Sequence, residues 1–174
     1  MRSSARVRAC VVGSALFVFA IGSAALPRAG AAETATPTPV PTPAVGDRIP
    51  PFETESVDGK AVKIDFPKGS KTVLVFFSST CPVCHRMIPE WNRAYKERKG
   101  GLVMYGIALD KPDPAFFIMT PIDFPILRTP SRELLDSIKV HRVPTTLRLG
   151  AGGKVEDAAL GQIDRMRLGQ FFTP

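Results

Sequence analysis

Residues 73–95 read VLVFFSSTCPVCHRMIPEWNRAY and predict a strand, a short turn and a helix that begins at a cysteine. The β-branched and aromatic run before the turn is typical of a buried strand. After the turn, apolar residues recur at helical spacing, which predicts an amphipathic helix whose core side includes Trp91 and Tyr95. The pair Cys81 and Cys84 therefore lies where a strand passes into a helix.

The same cysteines belong to two motifs. As C-x-x-C they form a redox dithiol, whereas with His85 they read C-x-x-C-H, a site for covalent haem attachment. A cytochrome also needs a second axial ligand and a haem-sized apolar pocket, and it does not need a strand–turn–helix frame. The flanking sequence therefore favours the dithiol, and cytochrome c remains the alternative.

Thiol–disulfide exchange needs one accessible thiolate and a second thiol that resolves the mixed disulfide. Cys81 would lie at the helix N-terminus, where free N–H groups and the helix dipole favour a thiolate. Cys84, one turn later, suits the resolving role. We predict Cys81 and Cys84 as catalytic residues, and Pro82, Val83 and His85 as possible modulators.

A structural role for this cysteine pair is a poor explanation, because a two-residue loop closes almost no chain entropy. A zinc site is also poorly supported, since there is no second C-x-x-C and only His85 and His141 are available as imidazole ligands. We therefore predict no metal and no cofactor.

The N-terminal part of the chain predicts export. Residues 1–32 contain a basic start, an apolar stretch and the small residues Ala29-Gly30-Ala31 before a cleavage site, so they form a signal peptide or, if uncleaved, a membrane anchor. Residues 33–45 form a linker rich in proline and threonine, and residues 46–174 form one domain.

The charge of the chain does not indicate a nucleic-acid partner. The net charge is +7, but four arginines lie in residues 1–32, which contain no acidic residue, so the remaining +3 is ordinary. We expect a monomer.

The order of elements within residues 46–174 predicts an α/β fold. Phe52 to Ile64 reads as a hairpin around Asp58-Gly59, and Leu102 to Leu109 as a strand parallel to the first core strand. A helical turn over Asp113 to Met119 and a helix opened by Thr129-Pro130 follow. Thr145 to Leu149 and Lys154 to Ala158 form an antiparallel hairpin, and a last helix spans Asp164 to Phe172.

With these elements in place, the chain resembles thioredoxin-like oxidoreductases of the TlpA/ResA type, with redoxin domains as relatives. The resemblance lies in residues 73–93, GIALD (106–110), FPIL (124–127) and VHRVPTTLRLGAGGKV (140–155). It implies a thioredoxin fold, in which helices flank a central mixed β-sheet, with an N-terminal β-hairpin extension. It further implies that Pro144 is cis and that the backbone of Val143 pairs with the substrate peptide.

The resemblance also implies a function. Relatives of this type reduce apocytochrome c, copper-centre assembly factors or other oxidised exported proteins, with a membrane thiol transporter as electron donor. We therefore expect a periplasmic protein, anchored to the inner membrane if its signal is not cleaved, that acts as a reductant, for example in cytochrome c biogenesis.

Three positions depart from the relatives. Thr80 replaces a tryptophan, Val75 stands where thioredoxins have a buried aspartate, and Met87 stands where some reducing members have glutamate. The proton acceptor for Cys84 is therefore left open by the sequence.

Further alternatives use the same residues. A peroxiredoxin would use Ser78, three residues before Cys81, and a copper-handling protein of this fold would add His141 to the two cysteines. A binding module that has lost catalysis is improbable, since both cysteines are present.

Overall fold

The computed structural model describes residues 40–173, which contain seven strands and four α-helices. The strands are β1 (Phe52–Glu55), β2 (Ala61–Ile64), β3 (Lys71–Phe77), β4 (Leu102–Ala108), β5 (Ile126–Leu127), β6 (Thr145–Leu149) and β7 (Val155–Leu160). The helices are α1 (Pro82–Glu97), α2 (Pro114–Met119), α3 (Arg132–Ser137) and α4 (Arg165–Phe171). None of the helices in this described part is long and apolar enough to cross a membrane.

The central sheet has the strand order β5-β4-β3-β6-β7. The pairings β3–β4 and β4–β5 are parallel, whereas β3–β6 and β6–β7 are antiparallel. The mixed sheet, its flanking helices and the separate β1–β2 hairpin confirm the predicted thioredoxin fold. The short strand β5 was not predicted, because two residues give no recognisable alternation.

The strand β3 separates two apolar cores, because its side chains alternate between the faces of the sheet. Val73, Val75 and Phe77 pack on the face covered by α1 and α4. Leu74 and Phe76 pack on the opposite face, with α3 and the residues that flank the β1–β2 hairpin. Burial on both faces explains the continuous apolar run in the sequence.

The segment from residue 46 to residue 57 reaches both edges of the central sheet. At one edge, Arg48 forms a bridge with Lys154, next to β7. At the other edge, Ser56 forms a bridge with Leu127 of β5. The hairpin turn between β1 and β2 contains Gly59 with φ of +83°, as the Asp-Gly pair predicts.

One local prediction needs correction. Ser131, not Thr129, caps α3, because its Oγ accepts a hydrogen bond from the Leu134 N–H, while the Thr129 hydroxyl donates to the carbonyl of Ala108. The predicted signal (residues 1–32) and the first part of the linker lie outside the described residues.

Candidate active site

The two cysteines lie at the amino end of α1, directly after β3. Cys81 is the N-cap residue, with extended backbone angles, and Pro82 occupies the first helical position, where its missing N–H does no harm. The backbone N–H of Cys84 donates to Cys81 Sγ over 3.2 Å. This contact places Sγ of Cys81 at the positive end of the helix dipole.

The two thiols differ in their surroundings. Cys81 is half-buried, whereas Cys84 is fully buried in the apolar cluster that includes Val75 and Met87. Burial, followed by a hydrogen bond with Cys81 and by the charges of Cys81 and Asp110, raises the pKa of Cys84 to about 12. The geometry therefore supports Cys81 as the attacking thiol and Cys84 as the resolving thiol.

Of the predicted modulators, His85 makes the most specific contact. Its Nε2 lies 2.6 Å from the carbonyl oxygen of Ser79, to which it donates as Nε2–H. Its ring also lies against Phe116, with 5.5 Å between centroids. His85 is therefore bonded to the turn before Cys81, and Val83 between the cysteines is half-buried and offers no donor.

A carboxylate that the sequence analysis did not select lies beside this turn. Asp110, just after β4, accepts hydrogen bonds from Ser78 Oγ at 2.8 Å, Ser79 N at 2.8 Å and Ser79 Oγ at 2.7 Å. The signal for it was in the sequence, since β4 runs parallel to β3 and ends at the same edge of the sheet. A polar residue at that end must lie near the cysteines.

The predicted substrate-binding residues lie at this edge as well. The Val143–Pro144 peptide bond is cis, as the resemblance implies, and precedes β6, whose amino end pairs with the carboxyl end of β3. Val143 packs against the same apolar cluster as Cys81. The Pro144 carbonyl already accepts a hydrogen bond from the Gly161 N–H at 2.8 Å, so it is not free for a substrate.

A cavity of about 690 Å³ lies at the carboxyl ends of β4 and β5. Its walls are mainly apolar and include Leu109, Pro114 and Phe117, with Asp110 and Arg128 among its polar residues. Asp110 also contacts the turn before Cys81, so it connects the wall of the cavity to the turn that carries the dithiol. The sequence did not predict it.

The residues of the peroxidase and copper alternatives have other partners here. The Ser78 hydroxyl donates to Asp110, and Nδ1 of His141 lies 3.6 Å from Asp136. Between residues 40 and 173, no three His, Cys, Asp or Glu side chains are grouped as metal ligands.

Comparison with known proteins agrees with this geometry. The model of the AhpC/TSA family matches residues 45–158. The thiol-disulfide oxidoreductase ResA of Bacillus subtilis is 27% identical over 120 residues, which cover 67% of each chain.

Two solved structures share the fold. StoA from Bacillus subtilis has a TM-score of 0.60 at 24% identity, over 74% of this chain and 98% of that one. A thioredoxin-family thiol:disulfide interchange protein from Chlorobium tepidum has a TM-score of 0.62 at 23% identity, over 74% and 95% of the two chains.

Proposed function

Because this chain belongs to the AhpC/TSA family and is a thiol–disulfide oxidoreductase, we propose that it reduces disulfides of other exported proteins. The observation that carries this proposal is the unequal pair of thiols at the start of α1. Cys81 is accessible and Cys84 is buried behind it, as reduction of a large substrate requires.

The reaction that we propose proceeds in two displacements. The Cys81 thiolate attacks one sulfur of the client disulfide; that bond breaks, a Cys81–client disulfide forms, and the first client sulfur leaves as a thiolate that takes a proton from water. Cys84 then loses its proton to water and attacks Cys81 Sγ. The mixed disulfide breaks, the Cys81–Cys84 disulfide forms, and the second client sulfur leaves as a thiolate that takes a proton from water, so two electrons have passed from the dithiol to the client.

The proposed direction of electron flow is supported by the contacts of Cys81. Strong oxidants of this fold stabilise the reduced state by holding a very acidic thiolate. Here the Val83 side chain offers no donor to Cys81 Sγ, and Nε2 of His85 donates to the Ser79 carbonyl instead. The Cys84 N–H is the donor seen at Cys81 Sγ in the described residues, so we propose a reductant.

Equilibration with glutathione tests the direction. We expect a potential on the reducing side of about −200 mV, and a value above about −150 mV would show a disulfide donor instead. Either potential is compatible with thiol–disulfide exchange, so this measurement tests only the direction of electron flow.

The proposed clients are oxidised exported proteins, with apocytochrome c as one candidate and a membrane thiol transporter as the donor that restores the dithiol. Two features support a polypeptide substrate. Val143, which precedes the cis-proline, packs against the same apolar cluster as Cys81, and an apolar cavity is lined in part by Asp110, which contacts the turn before Cys81. Export, to the periplasm, is inferred from residues 1–32.

Trapping in the cell envelope tests the clients. Cys84→Ser should accumulate mixed disulfides through Cys81, because the resolving thiol is absent. The double variant Cys81→Ser, Cys84→Ser is the matched control and should trap nothing. Equal recovery of partners with both variants would contradict the proposal.

A further inference from the structure

Asp110 occupies a position that the exchange reaction does not yet explain. It extends from the end of β4 to the turn formed by Ser78, Ser79 and Thr80, which connects β3 to Cys81. One carboxylate oxygen, Oδ2, accepts from the Ser78 hydroxyl, the Ser79 N–H and the Ser79 hydroxyl. On its other side, the same turn is held by His85, which donates to the Ser79 carbonyl.

The carboxylate is ionised at neutral pH. Burial alone would raise the pKa of Asp110, but the hydrogen bonds from Ser79 and Ser78 outweigh it and lower the pKa below its ordinary value. No cation is within ion-pair distance of Asp110 in the described part of the chain. Its negative charge is therefore not held in an ion pair.

The charge reaches Cys84. Two ionisable groups raise the pKa of this thiol through their charges: Cys81, the N-cap residue of α1, and Asp110, which lies just after β4 and contacts the turn before Cys81. The β3 side contributes apolar residues such as Val75, and His85 lies outside, bonded to the turn. Both facing charges disfavour a second thiolate.

We propose that Asp110 is a positioning residue of the dithiol, whose hydrogen bonds fix the turn before Cys81 and whose charge adds to that of the Cys81 thiolate in disfavouring ionisation of Cys84. This proposal concerns dithiol exchange itself and does not depend on the direction of electron flow or on the client. Asp110 would also supply a carboxylate near the dithiol, where the positions with acidic residues in relatives are occupied here by Val75 in β3 and Met87 in α1.

The order of events follows from the charges. While Cys81 is a thiolate, both Cys81 and Asp110 oppose ionisation of Cys84, so the exposed sulfur attacks first. Once Cys81 is bonded to the client, its sulfur is neutral and only Asp110 continues to oppose ionisation. Cys84 then loses its proton more readily and resolves the mixed disulfide.

Asp110→Asn tests the charge, because asparagine keeps an oxygen acceptor for the Ser79 N–H. In a Cys81→Ser background, we expect the midpoint of Cys84 ionisation, followed by thiolate absorbance, to fall by about half a unit, which is about threefold more thiolate at fixed pH. Exchange of Cys84 with a small disulfide should be only about twofold faster, because nucleophilicity falls with thiol pKa.

Asp123→Asn is the matched control. Asp123 lies before the amino end of β5, away from the dithiol, and pairs with Lys96 at 2.9 Å. Asp123→Asn removes the same charge and should leave the midpoint of Cys84 ionisation unchanged. Ser79→Ala, which removes one hydrogen bond but keeps the carboxylate, should shift it much less than Asp110→Asn.

An unchanged midpoint in folded Asp110→Asn overturns the proposal, as does an equal shift in the Asp123 or Ser79 variant. If Asp110→Asn does not fold, Asp110→Ser provides a second neutral side chain with an acceptor oxygen. The same criterion then applies to that variant.

Discussion

The buried thiol of Cys84 should make the stability of the reduced domain depend on pH. Its pKa is raised from an ordinary value of 9.0 to about 12, chiefly by burial. The unfolded chain therefore loses this proton at a lower pH than the folded chain. The stabilisation is complete below pH 9 and is lost as the pH rises towards 12.

The size of the effect follows from the shift. Each pKa unit corresponds to about 1.4 kcal/mol, so the three units amount to about 4 kcal/mol if the titration could be completed. Between about pH 7 and about pH 10, the part that can be measured is about 1.4 kcal/mol. The perturbation is Cys84→Ala, which removes this titration and leaves other groups in place.

Denaturant unfolding of the wild type and of Cys84→Ala, both with excess reductant, measures the difference. The stability advantage of the wild type should shrink by about 1.4 kcal/mol across that pH range. Subtracting the variant removes the contribution of tyrosines and lysines. An advantage that stays constant, or grows with pH, would refute the assignment of Cys84 as a buried, protonated thiol.

Further predictions concern two glycines, one ion pair and haem attachment. Gly153→Ala should destabilise the domain by at least about 2 kcal/mol in denaturant unfolding, because φ is +70° and the new Cβ would lie 1.9 Å from the Ile49 carbonyl oxygen. Gly169→Ala, in open space within α4, should stabilise the domain by about 0.5–1 kcal/mol in the same assay. Asp157→Asn should lower the free energy of unfolding by about 1 kcal/mol at neutral pH and by progressively less in acid. The reason is that the hydrogen bond from Arg167 lowers the pKa of Asp157, so the stabilisation disappears as the pH falls through that pKa. Equal losses of stability at neutral and acidic pH would contradict this. The denatured domain should give no haem stain, and a positive stain would restore the cytochrome alternative.

The sequence was most informative where local pattern and burial agree. The apolar run of β3 and the helical spacing after Cys81 predicted the frame of the site, because strands buried on both faces and amphipathic helices have distinct periodicities. The hairpin around Gly59 was predicted because the Asp-Gly turn has its own chemistry.

Features built by distant segments were not predicted. The role of Asp110 depends on β4 lying beside β3, and the cavity depends on residues from three separate segments. The start of α3 was misplaced because Thr129 and Ser131 are both good caps in sequence, and only the tertiary hydrogen bond from Thr129 to Ala108 separates them.

The bridges at the two edges of the sheet have a consequence for the order in which the molecule can be completed. Arg48 and Ser56 are synthesised early, but their partners, Lys154 and Leu127, emerge only when most of the chain has been made. Until β6 has been made, β3 has unpaired N–H and C=O groups along one side. The later edge strands, in contrast, emerge when residues 48 and 56 are already present, so each can form its bridge at once, and this limits the time in which it could pair with a neighbouring chain.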